Sequence, residues 1–151
     1  MDCARQSFHA RMVAVGLSCA VLFGCWSALG ANSDAAPQVA RLNREFKLNV
    51  GQQVTLKGTR LRIKFVKVEN DSRCPSDVTC VWAGNAAVGF QLSARRRNKT
   101  VTLNTSGNST FAREVEYQGY TVRLIDLSPY PLSKRKISAG DYIATLLVSK
   151  A

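Results

Sequence analysis

Cys74 and Cys80 are the residues in this 151-residue chain whose type and spacing most directly suggest chemistry, and Trp82 follows them closely. Five residues lie between the two cysteines, short enough for a small disulfide ring and too poor in partner ligands for a zinc site. Closing a ring of that size stabilises by about 2 kcal/mol on the chain-entropy model, a local staple rather than the source of a fold. The one histidine is His9, close to the N-terminus, so the chain beyond it has no imidazole. Ser-His-Asp and Cys-His mechanisms both need that base. No catalytic residue, metal or cofactor is therefore expected.

Two other constellations carry weaker signals. Ser133-Lys-Arg-Lys136 has the Ser-x-x-Lys spacing of penicillin-binding enzymes, but it follows two prolines, and Ser106-Gly-Asn108 and Lys99-Thr-Val101 are poor echoes of the companion motifs. The chain is also far too short for that fold, and a spacing match of this kind arises readily by chance. Carboxylates alone can hydrolyse glycosides, and Glu45, Glu69, Asp71, Asp77, Glu114, Glu116, Asp126 and Asp141 are available. Glu114 and Glu116 share one strand face and are expected to point outward. Asp71 and Asp77 flank the cysteine ring, where bonding loop amides or neutralising Arg73 is the ordinary use of an aspartate.

Binding offers more candidates. Arg95, Arg96, Arg97 and Lys99 form a basic run with no apolar content, expected at a hairpin tip, and Lys134, Arg135 and Lys136 form another. They make an anion site if the two clusters meet in space. No aromatic interleaves the arginine run, which disfavours nucleic acid as the partner. Trp82, only two residues past a cysteine, is expected to pack on the disulfide or the core; an exposed ligand platform is the alternative.

Export is written into the N-terminus. Arg5 and Arg11 precede an uncharged run from Met12 to Gly30, and small or polar residues follow, the pattern of a signal peptide over residues 1–30. Leu22-Phe-Gly-Cys25 resembles a bacterial lipobox, making Cys25 the candidate lipidation site. Ordinary cleavage after Gly30 and an uncleaved span over Met12 to Gly30 are the rival readings. Residues 31–38, interrupted by Pro37, read as a tether. Cys3 and Cys19 leave with the leader and Cys25 is lipidated or removed, so Cys74 and Cys80 form an even remainder suited to an oxidising compartment. The expected location is the bacterial periplasm or outer membrane.

The formal charge is +11. Loss of residues 1–25 removes two arginines and one aspartate and leaves +10. Such a field favours anionic partners without naming one.

The elements that must position these residues are strands. Beyond Val39, apolar residues recur at alternate positions between Gly, Asn, Ser and Pro clusters. Strands are expected around Phe46, Val54, Leu61 to Val68, Ala86 to Leu92, Val101, Val115, Tyr120 to Leu124 and Tyr142 to Val148. Leu61, Ile63 and Phe65 alternate in one phase and Val66 and Val68 in the other, which predicts a bulge near Phe65 and Val66. Ser128-Pro-Tyr-Pro131 should break strand pairing. About eight strands and no helix predict an all-β domain over residues 39–151, a single antiparallel sandwich, with a small barrel as the alternative.

Ser72-Arg-Cys-Pro75 followed by Cys80-Val-Trp-Ala-Gly84 resembles a signature of small exported bacterial proteins and lipoproteins of uncharacterised function. The resemblance extends from Phe46 to Val148, with weaker support from Leu127-Ser-Pro-Tyr-Pro131. It implies a β-rich envelope domain and supplies no catalytic residue. Residues and resemblance together suggest a non-enzymatic envelope protein that binds an anionic envelope component or a protein partner. A protein inhibitor using the Cys74 to Cys80 loop is the alternative, and a carboxylate-only hydrolase a third.

Overall fold

A computed structural model describes residues 38–107 and 110–151. The expected signal peptide over residues 1–30, with Cys25, and residues 31–37 of the expected tether lie outside the described residues.

The alternating pattern folds into nine strands: β1 (Gln38–Ala40), β2 (Phe46–Asn49), β3 (Gln53–Leu56), β4 (Arg62–Asp71), β5 (Ala86–Ala94), β6 (Arg97–Asn104), β7 (Glu114–Tyr117), β8 (Tyr120–Ser128) and β9 (Ile143–Lys150). They form a five-stranded sheet in the order β1-β3-β4-β5-β6 and a four-stranded sheet in the order β2-β9-β8-β7. The sheets pack face to face around one core and are not closed into a barrel. No strand among the described residues is replaced by helix.

The strand period explains the core. Ile63 and Phe65 on β4, Val88, Phe90 and Leu92 on β5, and Leu124, Leu146 and Val148 on the facing sheet are all fully buried. Phe65 pairs across the ladder with Phe90, their ring centroids 5.3 Å apart, a spacing within the favourable range for aromatic pairs. Every residue of this core falls within the compact unit Asp34–Ala151.

The register shifts between Phe65 and Lys67, so the phase slip in the sequence is a bulge, and a second shift follows between Val68 and Asn70. Both increase local twist near the end of β4 that leads into the cysteine ring. Ser128 still pairs with Ile143, and the ladder ends at Pro129.

Two expectations need correction. The sandwich has a ninth strand, β1, and it runs parallel to β3. Three residues are too few for an alternation to be visible. The basic run is also not a hairpin tip as a whole. Arg95 and Arg96 alone form the turn, at φ 47° and 65°, and Arg97 and Lys99 belong to β6. A two-residue turn with both φ values positive matches the twist of the flanking strands, which lets β5 and β6 pair to their last residues.

Candidate functional site

The β4–β5 connection carries the site. Beyond Asp71 and Ala86, where the regular ladder stops, the two chain segments stay paired as a neck. The Ser72 amide donates to the Asn85 carbonyl at 2.8 Å and the Cys74 amide to the Ala83 carbonyl at 2.9 Å. Gly84 makes this close approach possible. Its φ is +72°, and a Cβ there would lie 1.9 Å from the Ser72 carbonyl oxygen. Asn85 ties the neck to the far end of β6: its Nδ2 donates to Asn104 Oδ1 at 2.7 Å, and its Oδ1 accepts from the Ser106 amide and hydroxyl.

Above the neck, Cys74 and Cys80 are joined in a disulfide with their Cα atoms 5.9 Å apart. The ring leans on the segment after β8. Ser76 N donates to the Pro131 carbonyl at 3.0 Å. Asp77 accepts two hydrogen bonds from Ser133, from the amide at 2.8 Å and the hydroxyl at 2.6 Å. These bonds hold the Asp77 carboxyl below its ordinary range.

Beneath the ring lies a polar node that is only partly legible in the sequence. Arg73 is 5% exposed. Its Nε and Nη2 donate to the two carboxylate oxygens of Asp71 at 2.8 and 2.7 Å. Nη1 donates to the Leu127 carbonyl and Nη2 also to the Pro129 carbonyl at 2.9 Å. The Tyr130 ring stacks over the guanidinium carbon at 4.7 Å. The Tyr142 hydroxyl donates to Asp71 Oδ2 at 3.1 Å.

Burial acts on Asp71 to raise its pKa, but the side-chain and backbone bonds from Arg73, the guanidinium charge and Tyr142 together outweigh it, and the carboxyl titrates below its ordinary value. Burial, reinforced by the Asp71 charge, pushes the Tyr142 hydroxyl up. The node fixes the cysteine ring to the opposite sheet without leaving a buried charge unpaired. One signal of it is visible in the sequence: Asp71 and Arg73 are two apart, and on an extended chain that spacing places them on the same side.

Trp82 departs from expectation. It is 81% exposed, and neighbouring Val81 is 90% exposed. The ring closes before the chain reaches them, and the Gly84 turn folds the neck back underneath, so residues 81 and 82 form the outer bend. Val78 on the ring and Tyr130 and Leu132 on the facing segment are exposed as well. These five are the majority of the eight large apolar side chains that stand exposed among the described residues, so the solvent-facing apolar surface concentrates at this end. An open groove of about 550 Å³ runs beside it, lined by Pro129, Tyr130, Leu132, Lys136, Ile137 and Asp141.

The remaining candidates fall elsewhere. Arg95 and Arg96 sit at the opposite end of β5, about 27 Å away at the usual rise per strand residue. Lys134, Arg135 and Lys136 follow Ser133 on the ring side. The structure does not bring the two basic clusters together. Lys99 and Arg97 lie exposed on β6, an edge strand, where charge discourages pairing with another chain.

Ser133 of the Ser-x-x-Lys match sits at a turn closed by the Arg135 amide and Leu132 carbonyl, its hydroxyl engaged by Asp77. Glu114 pairs with Arg123 at 2.6 Å on the exposed face of the second sheet. Among the described residues no group of three His, Cys, Asp or Glu side chains is placed to hold a metal ion. In comparisons with known proteins, no family model, curated protein or solved structure matches the chain.

Proposed function

We propose that this chain is a non-enzymatic exported envelope protein, tethered through Cys25, that holds a protein partner on the bend formed by Val81 and Trp82. The observation that carries this reading is the exposure of that indole on a short bend whose flanks are held on both sides. Neck, disulfide, Asp77–Ser133 pair and Arg73 node all restrain the loop. Leaving a large apolar side chain in water forgoes about 2 kcal/mol of burial. A fold that restrains such side chains on a projecting bend has the form of a binding anchor, since tryptophan is enriched among the residues that dominate interfaces. Restraint before binding also lowers the ordering cost of association.

A projecting apolar knob fits a concave surface, so an enzyme cleft is the partner shape this geometry favours, which supports the inhibitor form of the reading. The two acids nearest the loop are already engaged, Asp71 by Arg73 and Asp77 by Ser133. That favours binding over carboxylate catalysis.

The test is affinity capture from envelope extracts with the wild-type domain and a Val81→Ser/Trp82→Ala variant side by side. A single envelope protein retained by the wild type and lost with the variant supports the reading. A partner retained equally by both refutes it.

A further inference from the structure

The end of the sandwich opposite the cysteine ring gathers cations that are far apart in the sequence. β1 runs toward this end beside β3, and the chain crosses to the second sheet through residues 41–45. The β3–β4 turn, the β5–β6 turn and the β7–β8 turn at Gln118 and Gly119 all open here. A hydrogen bond from the Tyr117 hydroxyl to the Arg97 carbonyl, 2.7 Å long, confirms that the turns of the two sheets meet. These connections carry Arg41, Arg44, Lys57, Arg60, Arg95 and Arg96, all exposed, against the single acid Glu45. None of the six takes part in either ion pair of the described residues.

Arg95 and Arg96 occupy positive-φ positions that an Asn-Gly turn would fill with less strain. Arg60 and Arg95 also line one shallow groove with Thr59 and Gln118, so two guanidinium-bearing residues border a polar depression. Arginine is the side chain best suited to phosphate oxygens, which its planar fork meets two at a time.

We infer that this basic end docks on the surface of an anionic phospholipid bilayer, with a lipid phosphate seated between Arg60 and Arg95. The six cations project from two turns of the five-stranded sheet and from the crossover that leads to the second sheet, so they spread over this end of the domain rather than follow one strand. A plane of negative head groups complements that distribution. One aromatic borders it, Tyr120, half-buried against the core, so a single-stranded nucleic acid finds no run of exposed rings on which successive bases could stack. Docking in this orientation points the Val81–Trp82 bend away from the membrane, but the inference rests on the basic end alone and stands whether or not the bend binds a protein.

The test uses the compact unit Asp34–Ala151, which contains the whole core and lacks Cys25. Co-sedimentation is measured with vesicles of phosphatidylglycerol and phosphatidylcholine and with phosphatidylcholine alone. Binding is expected only to the anionic vesicles and is expected to fade as salt rises. In Arg95→Asn/Arg96→Gly the turn becomes more favourable while two charges vanish, so its melting temperature should equal or exceed the wild type and its vesicle affinity should fall roughly thirtyfold. Arg60→Gln should weaken binding on its own.

Equal binding to neutral vesicles, or unchanged affinity in the folded Arg95→Asn/Arg96→Gly variant, would overturn the inference. So would binding to a single-stranded oligonucleotide or to heparin with no binding to anionic vesicles.

Discussion

The Arg73 guanidinium meets the Asp71 carboxylate fork to fork across a single intervening residue, Nε to Oδ1 at 2.8 Å and Nη2 to Oδ2 at 2.7 Å. Two residues of β4 and its extension thereby present a fixed cation to the carbonyls of Leu127 on β8 and of Pro129 just beyond it. The cysteine ring starts at the next residue, so its orientation is inherited from this pair.

Arg73→Leu leaves the Asp71 carboxylate beside Tyr142 without its cation and removes the donors to Leu127 and Pro129. Breaking a buried pair from one side destabilises by about 3–5 kcal/mol. Urea denaturation should show a loss of that order. The double variant Arg73→Leu/Asp71→Asn should recover part of it, because no unpaired charge remains.

The acid limb of the stability profile follows from the lowered carboxyls. A carboxyl whose native pKa lies below its unfolded value contributes stability that is fully present above the unfolded value, about 3.9 for aspartate. That contribution is lost as pH falls from there through the lowered native values of Asp71 and Asp77. Denaturation midpoints should drop below about pH 4, and Asp71→Asn should flatten the slope. Tyr142 acts in the opposite direction, its contribution lost as pH rises through its raised native pKa.

Gly84→Ala places a methyl 1.9 Å from the Ser72 carbonyl oxygen at a φ of +72°. The neck must open to admit it. Amide exchange at Ser72 and Cys74, the two neck donors, should accelerate by orders of magnitude while β5 core amides stay protected. Uniform exchange across both regions would show that the neck is not a separate unit.

Reduction of the disulfide should cost no more than about 2 kcal/mol, because the closed ring is small. The Asp77–Ser133 bonds and the Arg73 node persist without it. Thermal melts with and without reductant should therefore both be cooperative, the reduced form melting no more than about 8 °C lower. Collapse of the fold on reduction would assign the sandwich's stability to the bridge.

Much of this architecture can be read from alternation. Leu61, Ile63 and Phe65 against Val66 and Val68 disclose both β4 and its bulge, because a one-residue slip moves every later side chain to the other face. Gln38-Val39-Ala40 discloses nothing, since a three-residue strand takes its place from a parallel partner rather than from its own pattern. The site is legible only in part. Cys74, Cys80 and the Asp71-x-Arg73 spacing mark its position. The exposure of Trp82 depends on which way the neck folds at Gly84, and proximity to a cysteine does not encode that. Arg41, Arg44, Lys57 and Arg60 look unrelated along the chain, and topology alone collects them beside Arg95 and Arg96.

The central claim is that the bend at Val81 and Trp82 is where a protein partner is held, and a photoreactive aromatic side chain at position 82, which keeps the bulk of the indole, tests it directly in living cells. One cross-linked envelope protein is expected from position 82, none from a control at position 99 on the β6 edge, and loss of the adduct on Val81→Asp. Adducts of equal yield from both positions, or an adduct at 82 that survives Val81→Asp, would contradict it.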